Sequence, residues 1–284
     1  MEYNITIIGF GILGKSIGYT LTCNDIKYKY YDINDKSCGD LVDIIRYNNE
    51  NIYSYYFLCL PTDALKSGDL DISSIHDTCT LLNETVTNNT HVILKSTVIP
   101  GTTDKLRETY LNINIVFSPE FLREATSNED MLNSKFILIG CNTNESEYEN
   151  KERNKIELFE FFKYIFHHIG ELLIIFKPHT TLEIFKYTVN VFLASKVLFM
   201  NEIYLLTEKL NVDYTELQSL FKLDSRLGHS HFNVPNNENF GYSGKCFPAN
   251  TVSLKYLQDS LDLRSDFLNS VIKRNDEIKK LKND

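Results

Sequence analysis

The sequence predicts an α/β fold, in which a Rossmann-like, doubly wound sheet of mostly parallel strands precedes an all-helical module with one long helix. Over the first 176 residues, short apolar runs alternate with segments of helical character, as in successive βαβ units. Several runs are apolar throughout, which is typical of strands buried on both faces of a sheet. After Pro178 the pattern is helical only. We therefore expect a sheet domain over residues 1–178 and a helical domain over residues 179–284.

The apolar runs have the length of single strands, and helical segments separate them. The predicted strands are Ile5–Ile8, Tyr28–Tyr31, Tyr56–Leu60, Val92–Leu94, Ile113–Phe117, Phe136–Ile139 and Leu172–Phe176. The helices between them are expected at about residues 11–22, 72–88 and 147–167. In such a fold the carboxyl ends of the strands border the crevice where ligands bind.

One long helix is predicted at the start of the helical domain. Thr180-Thr181-Leu182-Glu183 fits a capping box, and neither Gly nor Pro interrupts the chain from there to about Leu210. The segment is apolar on more than one face, so we expect it to pack on its own domain and on a second subunit, which makes a homodimer. A spine buried within one chain is the alternative. Shorter helices are expected from Asp213 to Lys222, at 251–260 and at 265–281, with a long loop at 224–249.

Composition and charge exclude several classes of protein. The chain of 284 residues is 43% hydrophobic and 24% charged, which is typical of a globular protein and not of a disordered one. Its net charge of −9 has the wrong sign for broad binding to nucleic acid. No signal peptide precedes the first strand, and charges interrupt the apolar stretches, so we expect a cytoplasmic protein without a membrane segment. The six cysteines lack CxxC spacing, and no metal site is predicted.

A glycine motif directly follows the first predicted strand and opens a helix. Gly9-Phe10-Gly11-Ile12-Leu13-Gly14 has the GxGxxG spacing, which permits a tight turn and close approach of a pyrophosphate to the helix N-terminus. Asp32 ends the second strand, where a carboxylate accepts from a ribose 2′-hydroxyl and repels a 2′-phosphate, so NAD is favoured over NADP. An accidental glycine turn is the alternative. The predicted cofactor contacts here are Gly9, Gly11, Ile12, Leu13 and Asp32.

Polar residues also follow the later strands. Thr62 and Thr97 come after the third and fourth strands, where their hydroxyls would contact cofactor or substrate, or would be ordinary helix caps. Glu120 and Glu124 lie four residues apart after the fifth strand. One of them would be a general base if its neighbours raise its pKa. The alternative is a solvated pair beside Arg123.

Two further groups lie in the helical domain. Lys186 and Asn190 share one face of the long helix, and would stabilise an oxyanion unless the lysine extends to solvent. Cys246 lies in the segment GYSGKCFP, residues 241–248, where a lysine and the start of a helix would stabilise a thiolate. A cysteine nucleophile beside a nicotinamide site indicates covalent oxidation at the aldehyde level. The other cysteines are expected mostly to be buried apolar residues.

The order of these motifs resembles that of the UDP-glucose/GDP-mannose dehydrogenase family: GxGxxG, the acid after the second strand, KSTVxPGTT, SPEFLRE, K-x-x-x-N, DxRxG and FGxxGxCFP. The resemblance runs from Ile5 to about Asn275, and SPEFLRE with the cysteine segment is its most specific part. It implies a first domain that binds NAD and a central helical domain that forms the dimer. It also implies a four-electron oxidation of the C6 alcohol of UDP-glucose to UDP-glucuronate, with two NAD reduced.

The resemblance implies a role for each matched residue. Cys246 would form a thiohemiacetal and then a thioester, Lys186 and Asn190 would stabilise oxyanions, Glu120 would transfer protons, and Thr97 would place a water. Thr62, Thr97 and Glu124 would lie near the cofactor. The arginine of DxRxG would reach the partner subunit's substrate. The implied substrate contacts are Phe121, Leu122, Lys186, Asn190, Arg226, Phe240, Gly241, Tyr242 and Gly244.

The chain departs from the family pattern at three points. Asn250 stands where the family has an aspartate that polarises water, and an amide hydrogen-bonds without carrying charge. Ser243 replaces a glycine. The chain also stops where the family continues into a second nucleotide-binding domain, so we expect a shortened form. Two alternatives follow: a catalytically impaired relative that still binds NAD and a nucleotide sugar, or a dehydrogenase of another sugar, such as UDP-N-acetylhexosamine or GDP-mannose.

Overall fold

The computed structural model describes residues 3–50, 53–87, 89–141, 148–235 and 239–281, with the backbone alone at 148–151. The chain forms two compact units. The first comprises Met1–Thr62 and Asp71–Lys186, and the second comprises Asp63–Leu70 and Tyr187–Asp284. The units therefore divide inside the long helix and not at Pro178, because the first turns of that helix bond to loops of the first unit.

The first unit contains a sheet of five parallel strands in the order β2-β1-β3-β4-β5. These strands are β1 (Asn4–Ile8), β2 (Lys29–Tyr31), β3 (Tyr53–Leu58), β4 (Asn89–Leu94) and β5 (Asn114–Phe117). The order changes direction between β1 and β3, which is the switch point where ligands bind in doubly wound folds. Two further strands, β6 (Phe136–Cys141) and β7 (Leu173–Pro178), pair in parallel as a separate sheet. The predicted fold class is confirmed, with the sheet divided in two.

Helices connect the strands of the first unit. They are α1 (Ile12–Cys23), α2 (Leu41–Asn48), α3 (Ser73–Thr85), α4 (Thr102–Thr109), α5 (Ser127–Leu132) and α6 (Tyr148–Ile165). The sequence pattern anticipates α1, α3 and α6 but not the other three, which have no more than eight residues each. Such short helices contain too few turns to display a clear apolar period.

Alternate residues of the strands in the five-stranded sheet enter two apolar clusters on its opposite faces. Tyr56 and Leu58 of β3 join one cluster, and Tyr55 and Phe57 join the other. The ring of Tyr55 stacks on that of Phe161 from α6, with centroids 3.7 Å apart. Burial of both faces explains why the strands read as continuously apolar runs.

The second unit contains most of α7 (His179–Leu210), followed by α8 (Tyr214–Phe221), α9 (Cys246–Ser260) and α10 (Asp266–Leu281). Its core includes Ala194 and Val197 of α7 and Val271 and Ile278 of α10. Asp213 caps α8 as predicted, through a bond from the Thr215 N–H to its carboxylate. By contrast, α9 begins at Cys246 and not near residue 251, because its proline lies in the first turn, where no intrahelical N–H bond is lost.

The long helix α7 has an unusual distribution of side chains. One face carries buried polar residues, namely His179, Glu183, Lys186 and Asn190. The opposite face exposes an apolar residue at every seventh position, namely Phe185, Phe192, Phe199 and Leu206. By length and composition alone α7 is apolar enough to cross a membrane, although Lys186, Lys196 and Glu202 interrupt its apolar stretches. Among the described residues it is the one helix of this kind.

Candidate active site

Three glycines shape the loop between β1 and α1, and each does so for a different reason. Gly9 has a φ of +88°, and a Cβ there would lie 2.5 Å from the carbonyl oxygen of Cys59. A Cβ on Gly14 would lie 2.1 Å from the carbonyl oxygen of Gly9. A Cβ on Gly11 would meet no atom within 4 Å. Gly9 and Gly14 therefore close the turn, while Gly11 leaves the backbone at the start of α1 open to a ligand.

The start of α1 has the properties of an anion site. Gly11 precedes the helix without a side-chain cap, and the first turn contains no acidic residue. Ile12 is exposed and Leu13 is partly buried. The first amides of a helix lack intrahelical acceptors and favour phosphate, so the loop fits the pyrophosphate of a dinucleotide.

Asp32, at the end of β2, is tied to this loop. Its carboxylate accepts from the N–H of Phe10 at 2.7 Å and from the N–H of Asn34 at 2.9 Å. The bonds from Asn34 and Phe10 lower the pKa of Asp32, which keeps the side chain ionised. A carboxylate oxygen has two lone pairs, so Asp32 retains capacity for a ribose hydroxyl.

The two threonines predicted near the cofactor are in contact. The hydroxyl of Thr62 donates to the carbonyl of Thr97 at 2.8 Å. The hydroxyl of Ser96 donates to the carbonyl of Leu60 at 2.8 Å, next to that bond. These bonds join the segments that follow β3 and β4, and they use the Thr62 hydroxyl. The next helix, α4, has Gly101 as its N-cap and not Thr97.

Glu120 and Lys186 form a buried ion pair, although 66 positions separate them in the chain. The Lys186 ammonium donates to a carboxylate oxygen of Glu120 at 2.6 Å and to its carbonyl at 2.5 Å. The N–H of Leu122 donates to the other carboxylate oxygen at 2.8 Å. The two alternatives, a solvated glutamate and a lysine that extends to solvent, do not hold. The Glu120 carboxylate bonds to Lys186 and Leu122, and Lys186 is buried.

The pKa of Glu120 reflects two opposed effects. Burial acts to raise it, but the charge and hydrogen bond of Lys186 and the N–H of Leu122 outweigh burial, so the pKa lies below its ordinary value. A second buried lysine, Lys95 at the end of β4, contributes in the same direction. Its ammonium donates to Ser118 at 3.3 Å, and burial lowers its pKa to about 8. The sequence motif predicts a role for the hydroxyl of Thr97 but none for Lys95.

The remaining residues of the SPEFLRE segment separate into buried and exposed positions. Phe121 is partly buried, and its ring packs edge-on against Phe185 at a centroid distance of 5.4 Å. Leu122 is partly buried in an apolar cluster. Glu124 is exposed at the start of a short 3-10 helix. Arg123 does not lie between the two carboxylates as a shared counter-charge, because it pairs with Asp130 in a bidentate bond.

The capping box predicted at the start of α7 is wrong. The helix begins at His179, and the Glu183 carboxylate accepts from the N–H of Gly101 at 2.6 Å and of Thr103 at 2.9 Å. Glu183 therefore caps α4 and not its own helix. The imidazole of His179 accepts from the N–H of Phe117 at 3.3 Å. Burial lowers the pKa of His179 to about 4, with a smaller contribution from Arg107.

In the second unit, Asn190 and Asn250 form a buried amide pair. The Asn190 side chain donates to the Asn250 side-chain oxygen at 2.5 Å. Cys246 is exposed and is the first residue of α9, whose first turn contains no acidic residue. The expectation of mostly buried cysteines is wrong, since Cys79 alone is fully buried and Cys23 at the end of α1 is exposed like Cys246.

The predicted substrate contacts of the second unit differ in burial. Gly241 and Tyr242 are buried, Phe240 is partly buried, and Gly244 is exposed. Arg226 is exposed and forms an ion pair with Asp224 at 2.6 Å. Among the described residues, no three His, Cys, Asp or Glu side chains are grouped as metal ligands.

Family models match both parts of the chain. The UDP-glucose/GDP-mannose dehydrogenase family, NAD binding domain, matches residues 49–163, and the central domain of the same family matches residues 180–277. Curated relatives include UDP-glucose 6-dehydrogenases of Rickettsia typhi, 27% identical, and Bacillus subtilis, 28% identical. Each match covers 96% of this chain and 66% of the relative. The chain thus spans about two thirds of the length of these relatives.

Solved structures resemble the fold. A UDP-glucose dehydrogenase from Pyrobaculum islandicum aligns with a TM-score of 0.75 at 22% identity, over 98% of this chain and 68% of that one. A 3-hydroxyisobutyrate dehydrogenase from Mycobacterium tuberculosis aligns with a TM-score of 0.71 at 13% identity, over 96% of this chain and 92% of that one. At these identities the likeness establishes the fold alone.

Gly14→Ala is expected to destabilise the protein, although alanine normally stabilises a helix relative to glycine. The new methyl group would meet the Gly9 carbonyl, and such overpacking costs about 1–3 kcal/mol. The matched control is Gly11→Ala, where nothing obstructs the methyl group. Urea unfolding of both variants tests this. A Gly14→Ala protein as stable as the wild type would show that the turn is not closed as described.

Lys186→Met is expected to reverse the pH dependence that Glu120 contributes to stability. In the wild type the pKa of Glu120 is lowered, so its contribution exists above the unfolded pKa and is lost as the pH falls through the folded pKa. In the variant, burial without the ammonium raises the pKa, so stability is lost as the pH rises through the new folded pKa. Urea unfolding from about pH 2 to pH 8 spans both transitions.

At neutral pH we expect Lys186→Met to lose about 3–5 kcal/mol, because it leaves an unpaired buried charge. The matched control is the double variant Lys186→Met, Glu120→Gln, in which the buried group is neutral. It should recover most of the loss. Equal losses in the single and double variants would mean that the lysine stabilises the protein by packing and not by its charge.

Proposed function

Because the chain belongs to the UDP-glucose/GDP-mannose dehydrogenase family, we propose that it oxidises the C6 alcohol of UDP-glucose to the carboxylate of UDP-glucuronate. NAD is its cofactor, since the matched first domain is the NAD-binding domain of that family. The observation that carries the proposal is Cys246, an exposed thiol on the first residue of α9. A four-electron oxidation needs a nucleophile that holds the aldehyde, and a helix N-terminus favours the thiolate form.

The proposed reaction has three stages. The alcohol first loses a proton and a hydride to become the aldehyde. The Cys246 sulfur then adds to the aldehyde carbon, and the resulting thiohemiacetal loses a second hydride to become a thioester. Water finally attacks the thioester carbon, which releases the carboxylate and returns the thiol. Bound NAD supplies the hydride acceptor in both oxidations.

Glu120 and Lys186 supply complementary chemistry. The pKa of Glu120 is lowered and not raised, contrary to the condition expected for a general base, so we assign its ionised carboxylate to orienting and receiving the protons of the alcohol and of the attacking water. Two N–H groups of the Lys186 ammonium are directed to Glu120, and an ammonium has three, so one is left to stabilise an oxyanion. Asn190 lies one helical turn further along α7, and its amide would add a neutral donor.

The cofactor would lie along the first unit. The open backbone at Gly11 and the start of α1 fit its pyrophosphate, and Asp32 fits its adenosine ribose. The segments at Thr62 and Thr97, which are hydrogen-bonded to each other, would contact the nicotinamide half of the cofactor. We assign Glu124, which is exposed, to the same binding region.

A catalytically impaired relative is the second candidate, and Asn250 is the observation that favours it. Its amide is buried and paired with Asn190, and it has no charge with which to polarise water. On this reading thioester hydrolysis is slow, and reduction stops after one round on each Cys246. Oxidation of another nucleotide sugar, such as UDP-N-acetylhexosamine or GDP-mannose, is a variant of the first candidate.

We further propose that a second copy of the chain covers the exposed stripe of α7, Phe185, Phe192, Phe199 and Leu206. A repeat of seven residues is the spacing at which two helices pack along a common seam. A membrane is the less suitable occupant, because four buried polar side chains lie on the other face of the same helix. The dimer would also allow Arg226 to reach the partner subunit's substrate. Because we assign the apolar stripe of α7 to a second copy and not to a membrane, we also propose a cytoplasmic location.

Purified protein with NAD and UDP-glucose is expected to form two NADH for each sugar, measured at about 340 nm, with the product carboxylate identified by mass. Cys246→Ser should abolish turnover, because a serine hydroxyl is not ionised at neutral pH. Cys23→Ser is the matched control, since Cys23 is equally exposed but distant in sequence from the loop. Two NADH per active site without further turnover would favour the impaired relative, because both hydrides leave before the thioester is hydrolysed. Full turnover by Cys246→Ser would exclude the proposed nucleophile.

Phe192→Glu is expected to convert the dimer to a monomer, because it places a charge in the apolar seam. The matched control is Phe267→Glu on α10, an equally exposed phenylalanine that lies outside the stripe. Light scattering after size-exclusion chromatography gives both masses. If Phe192→Glu stays dimeric, or if the wild type is monomeric, α7 is not the interface.

A further inference from the structure

We propose that Asn275 on α10, assisted by Asn201 on α7, is a positioning residue for the loop that leads to Cys246. We call residues 240–246 the substrate loop. The inference rests on the proposed function, since that function assigns sugar binding to this loop. Neither asparagine belongs to a motif from which the sequence predicts a site.

Asn275 pairs with both backbone groups of one loop residue. Its side-chain oxygen accepts from the N–H of Tyr242 at 2.8 Å, and its side-chain nitrogen donates to the carbonyl of Tyr242 at 3.2 Å. This is the pattern by which a neighbouring strand pairs in a sheet. A primary amide offers an adjacent donor and acceptor of this kind, whereas a carboxylate offers acceptors only.

Asn201 fixes the preceding residue. Its side-chain oxygen accepts from the N–H of Gly241 at 3.0 Å, while its nitrogen donates to the Val197 carbonyl at 2.8 Å. Gly241 has a φ of +71°, and a Cβ there would lie 2.4 Å from the Asn275 side-chain oxygen. The loop can therefore approach Asn275 only with glycine at this position.

The two halves of the substrate loop differ in exposure. Gly241 and Tyr242 are buried, and Tyr242 belongs to the apolar core of the second unit. Residues 243–246 are exposed, and a Cβ on Gly244 would meet no atom within 4 Å. The buried half is thus anchored, while the exposed half presents open backbone next to Cys246. Anchoring one half of a loop reduces the entropy lost when a ligand orders the other half.

A neighbouring ion pair separates this role from simple helix packing. Arg274, adjacent to Asn275, pairs with Glu202, adjacent to Asn201. This pair joins the same two helices but makes no bond to the substrate loop. Arg274→Ala therefore weakens the contact between α10 and α7 and leaves the loop bonds in place, which makes it the matched control.

The experiment compares Asn275→Ala, Asn275→Asp and Arg274→Ala with the wild-type full chain. Hydrogen exchange reports protection of the Tyr242 amide, and calorimetry gives the Kd for UDP-glucose and for NAD. Asn275→Ala should lose protection at Tyr242 and weaken UDP-glucose binding about tenfold, with NAD binding unchanged. Arg274→Ala should change each of these quantities less than about twofold.

Asn275→Asp supplies a readout that a general loss of stability would not give. Its carboxylate would face the Tyr242 carbonyl without a donor, whereas its protonated form restores the donor. UDP-glucose binding by this variant should therefore strengthen as the pH falls, while wild-type binding should not follow the same curve.

The outcomes distinguish the inference from the proposed function. If Asn275→Ala loses protection at Tyr242 yet binds UDP-glucose like the wild type, or if it keeps protection, the inference is overturned. If Arg274→Ala weakens UDP-glucose binding as much as Asn275→Ala, the role is packing and the inference is again overturned. If the wild type binds UDP-glucose and Asn275→Ala does not, but the wild type forms no NADH, the inference stands and the proposed oxidation fails.

Discussion

The fold depends on one requirement, that Glu183, Lys186 and Asn190, which are buried along a single face of α7, each find a partner. Glu183 satisfies it at the start of α4, Lys186 at Glu120 after β5, and Asn190 at Asn250. Displacing the helix by one residue would bury each of these groups without a partner, which is among the most costly changes in a protein interior. The same face therefore fixes the register of α7 and brings the two charged candidates for acid and oxyanion chemistry into contact.

The opposite face of α7 is subject to the reverse constraint. Its exposed phenylalanines are apolar where a surface helix is normally polar, while one buried row, which includes Glu183, Lys186 and Asn190, is polar where such a helix is normally apolar. Hydrogen bonds to Gly101, Glu120 and Asn250 hold the polar face of α7 in place. The helix therefore cannot rotate to bury the apolar stripe. The helix is thus held in an orientation that leaves apolar surface for another molecule.

Local motifs carried most of what the sequence could predict. The glycine loop can be predicted because the spacing of its glycines alone indicates a tight turn and an unobstructed backbone. In the structure a Cβ on Gly11 would meet no atom within 4 Å, as the motif requires. Glu120 and Lys186 were identified singly but not as a pair, since 66 positions separate them and periodicity carries no record of such contacts. Glu183 shows the opposite error, because a capping-box pattern was present and tertiary hydrogen bonds to α4 overrode it. No sequence pattern distinguishes Asn275, because a lone asparagine in an amphipathic helix resembles any surface residue.

The segment Asp63–Leu70 belongs to the second unit although residues on both sides of it belong to the first. The chain therefore passes between the units three times, after Thr62, after Leu70 and after Lys186. No single cut yields two intact pieces. A fragment ended at Pro178, where the sequence pattern changes, would retain 63–70 without its packing partners and would lose the side chains that cap α4 and neutralise Glu120. To obtain independently folding parts, the chain connectivity would have to be changed so that residues 63–70 stay with the second unit, since no single boundary achieves this.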